Sequence, residues 1–413
     1  MKPLIFLSLT LLAGALSAQE WPSFRGSAGN GAGPAAGFPD TFGEKDFAWR
    51  AELPGPGISS PVLWGGKLFL TSEAGAGEAG HRLVLAFDAA TGKELWRVKE
   101  GFGVHGQHQF NSFASSTPCV DSGRLYLAWT SGGSLKAQAL NHQGKTLWNT
   151  DLGAYAEEHG SGSSPVLAGG VLVISKDNAG SDSFIAGLSP LDGSVIWKHS
   201  RQSVRTPFAT PAVIRQADGT DAVIVAGNPA ALTCLKASDG KLLWEVANPS
   251  PGDRAVASPT LAGDICFMTM GSGGGGKNSV AVRVTDPKPE ILWQNRKGLP
   301  YVPSPIGAGK RFYVLTDGGV LSCLKAEDGT EIYSERVFSD KAYSSPVLAG
   351  DRLICTGRSG QVAVIAAGDK FRKLGEGQLG EATDATPAVA GGRVFFRTRT
   401  HLLCLPSGVK PQP

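Results

Sequence analysis

Clusters of charge of one sign are absent from this 413-residue chain. It has 39 lysine and arginine residues against 36 aspartate and glutamate residues, and the two signs are interspersed. A nucleic-acid groove or a polybasic membrane patch needs concentrated Lys and Arg, so we expect neither kind of partner. A sustained apolar period of 3.6 residues is also missing beyond the N terminus, which argues against a helical fold.

The one long apolar run lies at the N terminus. Lys2 precedes apolar residues 4–12, and small residues follow as far as Ala18. The run is too short to span a bilayer, and the pattern is typical of a cleaved secretory signal. We therefore predict a signal peptide over residues 1–18 and a periplasmic or secreted protein with no integral membrane segment. Cleavage after Ser17 and after Ala18 both fit, and no cysteine stands there to carry a lipid anchor.

A Ser/Thr-Pro pair followed by a small or β-branched residue recurs at nearly regular intervals, in eight copies. The intervals are 57, 47, 46, 48, 46, 41 and 41 residues, and the prolines are Pro61, Pro118, Pro165, Pro211, Pro259, Pro305, Pro346 and Pro387. This period is typical of propeller blades and other arrayed units rather than of a single folded domain. The chain is therefore predicted to be a repeat protein.

A large aromatic residue after an apolar one marks the end of most repeats. A glycine four positions earlier accompanies five of them and supplies the positive φ of a tight hairpin. We expect these rings to close the blades structurally: Trp49, Trp96, Trp148, Trp197, Trp244, Trp293 and Tyr333.

Short runs rich in β-branched and aromatic residues lie between these two signals, and four such strands fit each repeat. The last repeat lacks room for its fourth strand, whereas a surplus strand around Trp49 precedes the first. The prediction is an all-β, eight-bladed β-propeller of four-stranded antiparallel blades, its ring closed by the N-terminal strand. Residues 19–45 form an N-terminal extension, 46–406 the propeller and 407–413 a C-terminal tail.

The six cysteines are even in number, so disulfides are allowed in an exported protein. Cys234, Cys323 and Cys404 nevertheless stand where other repeats have Ala86 or Gly187. A small residue is required at that packed position, and a thiol can serve as one. We expect buried free thiols rather than bridges.

The segment from Ala86 to Trp96, AFDAATGKELW, resembles the docking motif of the pyrroloquinoline-quinone-type propellers. That superfamily includes quinoprotein alcohol dehydrogenases and the propeller lipoprotein of the outer-membrane barrel-assembly machine. The chain is more similar to exported PQQ-binding-like repeat proteins of planctomycete and verrucomicrobial bacteria. The segments that carry this likeness are residues 21–26, 111–118, 301–305 and 397–402.

A quinoprotein dehydrogenase, as the resemblance implies, holds its quinone with calcium, a catalytic aspartate and a ring of adjacent cysteines. This sequence has no two adjacent cysteines and no Cys-x-x-Cys-His haem attachment. We therefore expect no cofactor and no catalytic residue, and predict a monomeric, non-catalytic scaffold that binds a protein or an extracellular ligand. An assembly factor of the barrel-assembly type and a quinone-dependent dehydrogenase are the alternatives.

Propeller topology places the longest segments on one face, which we call the upper face because the innermost strands begin there. Loops longer than folding requires tend to carry function. Polar and aromatic residues on these loops and near the central mouth are the predicted binding set: His105, His108, Asn111, His159, Asp177, Asp182, Arg205, Arg254, Tyr301, Tyr343 and Asp384.

Three of these residues, His105, His108 and His159, could ligate zinc or copper if their loops converged. A His-x-x-His pair on a loop does not force both rings onto one face as a helix would. We therefore predict no metal site.

Overall fold

A computed structural model describes residues 20–27, 29–33, 37–75, 80–103, 106, 108–155, 159–178, 180–285 and 287–408. The predicted signal peptide and His105 lie outside the described residues. Within these ranges no helix is long and apolar enough to cross a membrane. Besides strands, the regular structure in the described part of the chain is one short 3-10 helix, Glu44–Asp46.

Eight four-stranded antiparallel blades surround a central channel, as the repeats predict. From the channel outwards, the strands are Val62–Trp64, Lys67–Ala74, His81–Asp88 and Glu94–Gly101 in blade 1; Cys119–Val120, Arg124–Ser131, Ser134–Asn141 and Thr146–Ala154 in blade 2; Val166–Ala168, Val171–Lys176, Gly180–Leu188 and Val195–Ser203 in blade 3; Ala212–Arg215, Asp221–Ala226, Ala230–Lys236 and Leu242–Ala247 in blade 4; Thr260–Ala262, Ile265–Ser272, Gly275–Arg283 and Ile291–Trp293 in blade 5; Ile306–Ala308, Arg311–Leu315, Val320–Lys325 and Glu331–Arg336 in blade 6; Val347–Ala349, Arg352–Thr356, Gln361–Ala366 and Lys373–Gln378 in blade 7; and Ala388–Ala390, Arg393–Arg397, His401–Pro406 and Trp49–Glu52 in blade 8.

The ring is closed by the N-terminal strand, which confirms the prediction from the two chain ends. Trp49–Glu52 pairs antiparallel with His401–Pro406, and Trp49 lies opposite Cys404. Arg397 adds a second link between the last and first blades, because its buried guanidinium donates to Ser59 and to Ser72 Oγ at 2.9 Å. The closure gives blade 8 its fourth strand, so the edge of His401–Pro406 is paired within the chain rather than open to another one.

Each outer-strand tryptophan named here also contacts the next blade. Trp197 of blade 3 donates its indole N–H to the Ala237 carbonyl of blade 4 at 3.0 Å. Equivalent bonds join Trp49 to Ala89, Trp96 to His142, Trp148 to Pro190 and Trp293 to Ala326. The rings therefore hold neighbouring blades together as well as filling each blade.

A small residue faces these rings from the third strand of the same blade. Trp197 lies opposite Gly187, and Trp244 lies opposite Cys234. All six cysteines are buried free thiols, as expected from their positions. Burial raises the pKa of the Cys234 thiol to about 12, so the thiol stays protonated at neutral pH.

The N-terminal extension does not project from the propeller but lies in its central channel. Trp21 exchanges two backbone hydrogen bonds of 2.9 Å with Leu63 of blade 1. The short strand Ala32–Gly33 pairs in parallel with Val347–Ala349 of blade 7. Arg25, fully buried, donates to Thr260 Oγ1 at 3.0 Å and to the Pro305 carbonyl. The extension therefore contacts blades on opposite sides of the channel and plugs it.

Candidate functional site

A cavity of about 880 Å³ opens at the upper face above this plug. Phe24, from the N-terminal extension, belongs to its lining, and the inter-blade links supply most of the wall. We call this cavity the funnel. Because the extension fills the channel beneath, the upper mouth is the way in for a ligand.

The deep wall of the funnel is made by the residue before the proline in every repeat. All eight are serine or threonine, all are buried and all line the funnel: Ser60, Thr117, Ser164, Thr210, Ser258, Ser304, Ser345 and Thr386. We call them the hydroxyl ring. The Ser/Thr-Pro pattern of the sequence is the signal that identifies them, although by itself the pattern predicts only the period of the repeats.

Backbone amides link the members of the hydroxyl ring from blade to blade. The Thr210 N–H donates to Ser258 Oγ at 3.0 Å, and the Ser258 N–H donates to Ser304 Oγ at 2.9 Å. Five further bonds of 2.9–3.2 Å continue the series from Ser60 to Thr117, Ser164 and Thr210, and from Ser304 to Ser345 and Thr386. The hydroxyl oxygens thus act as acceptors that join the blades.

Ser60 is the exception in the hydroxyl ring. Its amide donates to Thr117, but its own Oγ is buried and has no hydrogen-bond partner among the described residues. Ser60 and Thr386 belong to the first and last blades, where the ring of the propeller closes. A buried hydroxyl without a partner costs free energy, and a ligand atom at this point of the wall could supply the missing bond.

The long link between blades 1 and 2 reaches over part of the mouth. His108 stacks on His159 of the next link, with ring centroids 5.3 Å apart and planes 5° apart. The Phe110 ring centroid lies 5.7 Å from that of Tyr343, in the link before blade 7, and beneath the guanidinium of Arg358, in blade 7 itself. We call residues 108–113 the mouth strap. Their reach explains why this link is longer than ring closure requires.

Asn111 fixes the mouth strap to the neighbouring link. Its side-chain amide donates to the His159 carbonyl at 2.6 Å, and its Oδ1 accepts from the Ser112 N–H at 2.9 Å. The Phe113 N–H donates to Glu73 Oε2 at 3.0 Å. Burial raises the pKa of Glu73, and this hydrogen bond and the charge of Arg397 oppose the rise.

Two carboxylates in the funnel are engaged by other groups of the protein. Asp384 accepts two hydrogen bonds from Arg358, at 2.6 and 3.0 Å, which raise the pKa of that guanidinium. Asp317 accepts from the Tyr301 and Val302 amides at 2.6 and 3.1 Å, yet burial raises its pKa overall. Both carboxylates are therefore already hydrogen-bonded within the protein.

Three cations also line the funnel: Arg205, Arg254 and Lys341. Lys341 is exposed, and Arg205 is half-buried and donates to the Gly252 carbonyl at 3.0 Å. Arg254 is buried, and its guanidinium carbon lies 5.2 Å from the Phe208 ring centroid. Positive charge therefore exceeds negative charge in the funnel.

The structure brings most of the predicted binding residues to the funnel wall. His108, Asn111, His159, Arg205, Arg254, Tyr301, Tyr343 and Asp384 line it together. Asp177 and Asp182 do not line it. Asp177 is buried against Arg201 of the same blade, and Asp182 pairs with Lys176, so both carboxylates serve ion pairs within blade 3.

The sequence does not predict several residues of the funnel: Phe24, Phe110, Phe208, Asp317 and Lys341. Phe24 reaches the site because the extension enters the channel, and no periodic signal marks that path. Of the three histidines considered as metal ligands, two lie together. The described residues contain no group of three His, Cys, Asp or Glu side chains placed to hold a metal ion.

Comparison with known structures shows the same fold at low sequence identity. BamB from Moraxella catarrhalis is 13% identical with a TM-score of 0.65, and the match covers 89% of this chain and 99% of that one. Quinohemoprotein alcohol dehydrogenase from Comamonas testosteroni is also 13% identical with a TM-score of 0.66, covering 97% of this chain and 82% of that one.

Sequence comparison extends the likeness. The outer membrane protein assembly factor BamB of Yersinia pestis is 22% identical over 335 residues, which cover 77% of this chain and 78% of that protein. The family model described as outer membrane protein assembly factor BamB matches residues 80–274, 181–300 and 277–405. The chain therefore belongs to that family and is a PQQ-like β-propeller repeat protein.

Proposed function

We propose that this protein is a non-catalytic scaffold of the cell envelope, exported to the periplasm or beyond, that binds a partner protein through its upper face. The observation that carries the proposal is the funnel, whose floor is closed and whose mouth gathers aromatic and charged side chains from several blades. Convergent polar groups around a concavity are the usual signature of a binding site.

The rigidity of the surrounding ring supports this role. Backbone amides and hydroxyls join the blades at the channel, and indoles join them further out. A binding surface that is already ordered loses little conformational entropy on association. The described residues that line the funnel are thus held in place for a partner without any chemistry being required.

Assembly of outer-membrane proteins is the second candidate, favoured by the family match and by the relative in Yersinia pestis. Under this alternative, the partner would be a subunit of an assembly machine. Dehydrogenase activity is the third candidate, since a quinohemoprotein alcohol dehydrogenase shares the fold. We propose that the present chain lacks that activity, because the adjacent cysteines and the haem attachment expected of such enzymes are missing from its sequence.

Photo-crosslinking from single positions tests the binding proposal. A photoreactive residue at Lys341, on the funnel lining, should crosslink a partner protein in intact envelopes, whereas one at Lys145 should not. Both lysines are exposed, but Lys145 lies in the turn between the outer strands of blade 2, on the lower face. Crosslinks from Lys145 alone would contradict the proposal, and identification of the crosslinked protein separates an assembly subunit from another partner.

Titration with pyrroloquinoline quinone and calcium tests the non-catalytic part. We expect no stoichiometric change in the quinone absorbance and no reduction of an electron-acceptor dye with alcohols or sugars. Turnover under these conditions would show that the protein is an enzyme.

A further inference from the structure

We propose that the funnel binds an acidic polypeptide segment, with a carboxylate of that segment seated against the hydroxyl ring. The inference deepens the proposed function, on which it rests, by giving the chemistry of the partner. Three observations carry it. The hydroxyls of the hydroxyl ring have protons left to donate, the Ser60 hydroxyl has no partner among the described residues, and the funnel is lined by more cations than acids.

The hydroxyl ring presents donors rather than acceptors. Seven of its oxygens already accept a backbone N–H from the neighbouring blade. Each hydroxyl still carries a proton, and none of them donates it to another group among the described residues. A hydroxyl that already accepts one hydrogen bond can still donate its proton in another. The wall therefore suits a ligand rich in acceptor oxygens.

Ser60 supplies an independent observation. It lines the funnel, is 1% exposed, and its Oγ has no partner in the described part of the chain. Every other member of the hydroxyl ring accepts a bond from the amide of the member in the preceding blade, beginning with Thr117, which accepts from Ser60 itself. A carboxylate oxygen at this point would accept the Ser60 proton and relieve the cost of the unpaired group.

The charges of the funnel select an anion over a neutral acceptor. Asp384 is paired with Arg358, and Asp317 accepts from two backbone amides, so the two acids of the wall are already hydrogen-bonded and are outnumbered by the three cations that line it. Lys341 and Arg205 stand at the accessible end. Cations around a concavity attract an anionic group and raise its rate of association.

The shape and walls of the funnel favour a polypeptide segment over a small free acid. Its volume of about 880 Å³ lies near the upper end of the range typical of ligand sites, roughly 300–1,000 Å³. Tyr301, Tyr343 and Phe208 line the same funnel and add aromatic surface to that of the cations and the hydroxyl ring. An extended segment can contact the cations, the aromatic side chains and the hydroxyl ring at once, whereas a lone carboxylate contacts one of these groups.

The test measures binding of three defined probes to the purified full chain. Fluorescence anisotropy is recorded with labelled, terminally blocked hexaglutamate and with the matched hexaglutamine, and unlabelled citrate is added as competitor. We expect hexaglutamate to bind at least tenfold more tightly than hexaglutamine, with an affinity that falls as salt is raised. Equal binding of the two peptides would overturn the proposal, and so would binding of citrate in the absence of peptide binding.

Variants place the bound peptide in the funnel. The double substitution Lys341→Gln with Arg205→Gln should weaken hexaglutamate binding at least tenfold, whereas Lys145→Gln should change it less than twofold. Ser60→Ala removes a hydroxyl that makes no internal hydrogen bond, so it should weaken binding several-fold without lowering Tm. Unchanged affinity in the funnel variants would overturn the proposal. If crosslinks from Lys341 persisted in that case, the scaffold function would stand with a partner of different chemistry.

Discussion

The indole of Trp197 in blade 3 lies against the α-carbon of Gly240 in blade 4. A Cβ built on Gly240 would stand 2.4 Å from Cε3 of that ring, which is closer than real contacts allow. The same relationship joins Trp49 to Gly92, Trp96 to Gly144, Trp148 to Gly193 and Trp293 to Gly329. The glycine therefore serves two purposes, because its positive φ forms the hairpin and its missing side chain admits the neighbouring ring.

Replacing Gly240 by alanine should destabilise the protein by about 3 kcal/mol. The backbone there has φ +69°, which L side chains rarely adopt, and the new methyl group must displace the Trp197 ring. Chemical denaturation followed by tryptophan fluorescence measures the loss.

Gly170 provides the matched control, because it has φ +76° but no atom lies within 4 Å of the place that a new methyl group would occupy. Gly170→Ala should therefore cost only the backbone strain, about 1 kcal/mol. Equal losses at the two positions would show that the contact between blades does not contribute to stability.

The fold could be predicted from the sequence because each blade repeats the same local requirements. Tight turns demand glycine at Gly92 and Gly240, and a ring opposite a third strand demands a small residue such as Gly187 or Cys234. These requirements recur at the blade period, so they can be recognised in the sequence alone. The pairing of Trp49 with the last blade followed from counting strands at the two ends.

The site could be predicted only in part, because its residues do not repeat. Arg205, Tyr301 and Asp384 could be placed at the mouth from their distance to the nearest proline. Phe24 could not, since its position depends on a non-periodic segment entering the channel. Asp177 does not line the funnel, and a carboxylate on an upper-face loop gives no local sign that Arg201 is its partner.

A chain beginning at residue 43 should be markedly less stable than one beginning at residue 20. It loses Trp21, Phe38 and Phe42, which are buried in one hydrophobic cluster with blades 7, 8 and 1. Burial of each such side chain is worth about 1.5–3 kcal/mol. Thermal unfolding compares this chain with one that ends at residue 406, which should unfold like the full chain. Equal Tm values for the two truncations would mean that the plug adds nothing to the fold.

Phe110→Ala should loosen the mouth strap while leaving global stability within about 1 kcal/mol. The ring is 41% exposed, but it contacts Tyr343 and the Arg358 guanidinium. Each such contact is worth about 0.5–1.5 kcal/mol, so amide hydrogen exchange across residues 108–113 should quicken roughly tenfold. Leu292→Ala is the control, since Leu292 is 42% exposed on the outer strand of blade 5. Unchanged exchange in the Phe110 variant would contradict this anchoring role.

Glu381 should make stability depend on pH in the acid range. Burial opposes its ionisation, but hydrogen bonds from Thr398, Thr400 and His401 outweigh burial and lower its pKa to about 2. A carboxyl group whose pKa is depressed on folding stabilises the protein above its unfolded pKa. That contribution is lost as pH falls from about 4.5 towards 2.

The variant Glu381→Gln isolates this group from the other carboxylates. Because Glu381 is partly exposed, solvent screening reduces the expected difference in unfolding free energy at pH 7 to about 1 kcal/mol in favour of the wild type. The difference should vanish near pH 2. Urea denaturation of both proteins across this range provides the measurement, and a difference that stays constant with pH would contradict the assignment.

Partner binding should depend on Arg205 and Tyr301 without a matching loss of stability. Both side chains line the funnel and are partly exposed, so alanine at either position removes ligand-facing surface rather than core packing. Arg254 is a poorer probe, because it is buried, lies over Phe208 and exchanges backbone bonds with Gly271. Its replacement by alanine should lower Tm as well as binding.

Crosslinking yield at Lys341 and Tm, measured on the same preparations, separate the effect on binding from the effect on stability. Trp244→Ala, a large buried deletion, should cost about 3–5 kcal/mol and serves as the structural reference. Arg205→Ala and Tyr301→Ala should instead lower the yield while Tm stays close to that of the wild type, because neither change opens a cavity in a blade. If both variants left the yield unchanged, the partner would have to engage the protein away from the funnel.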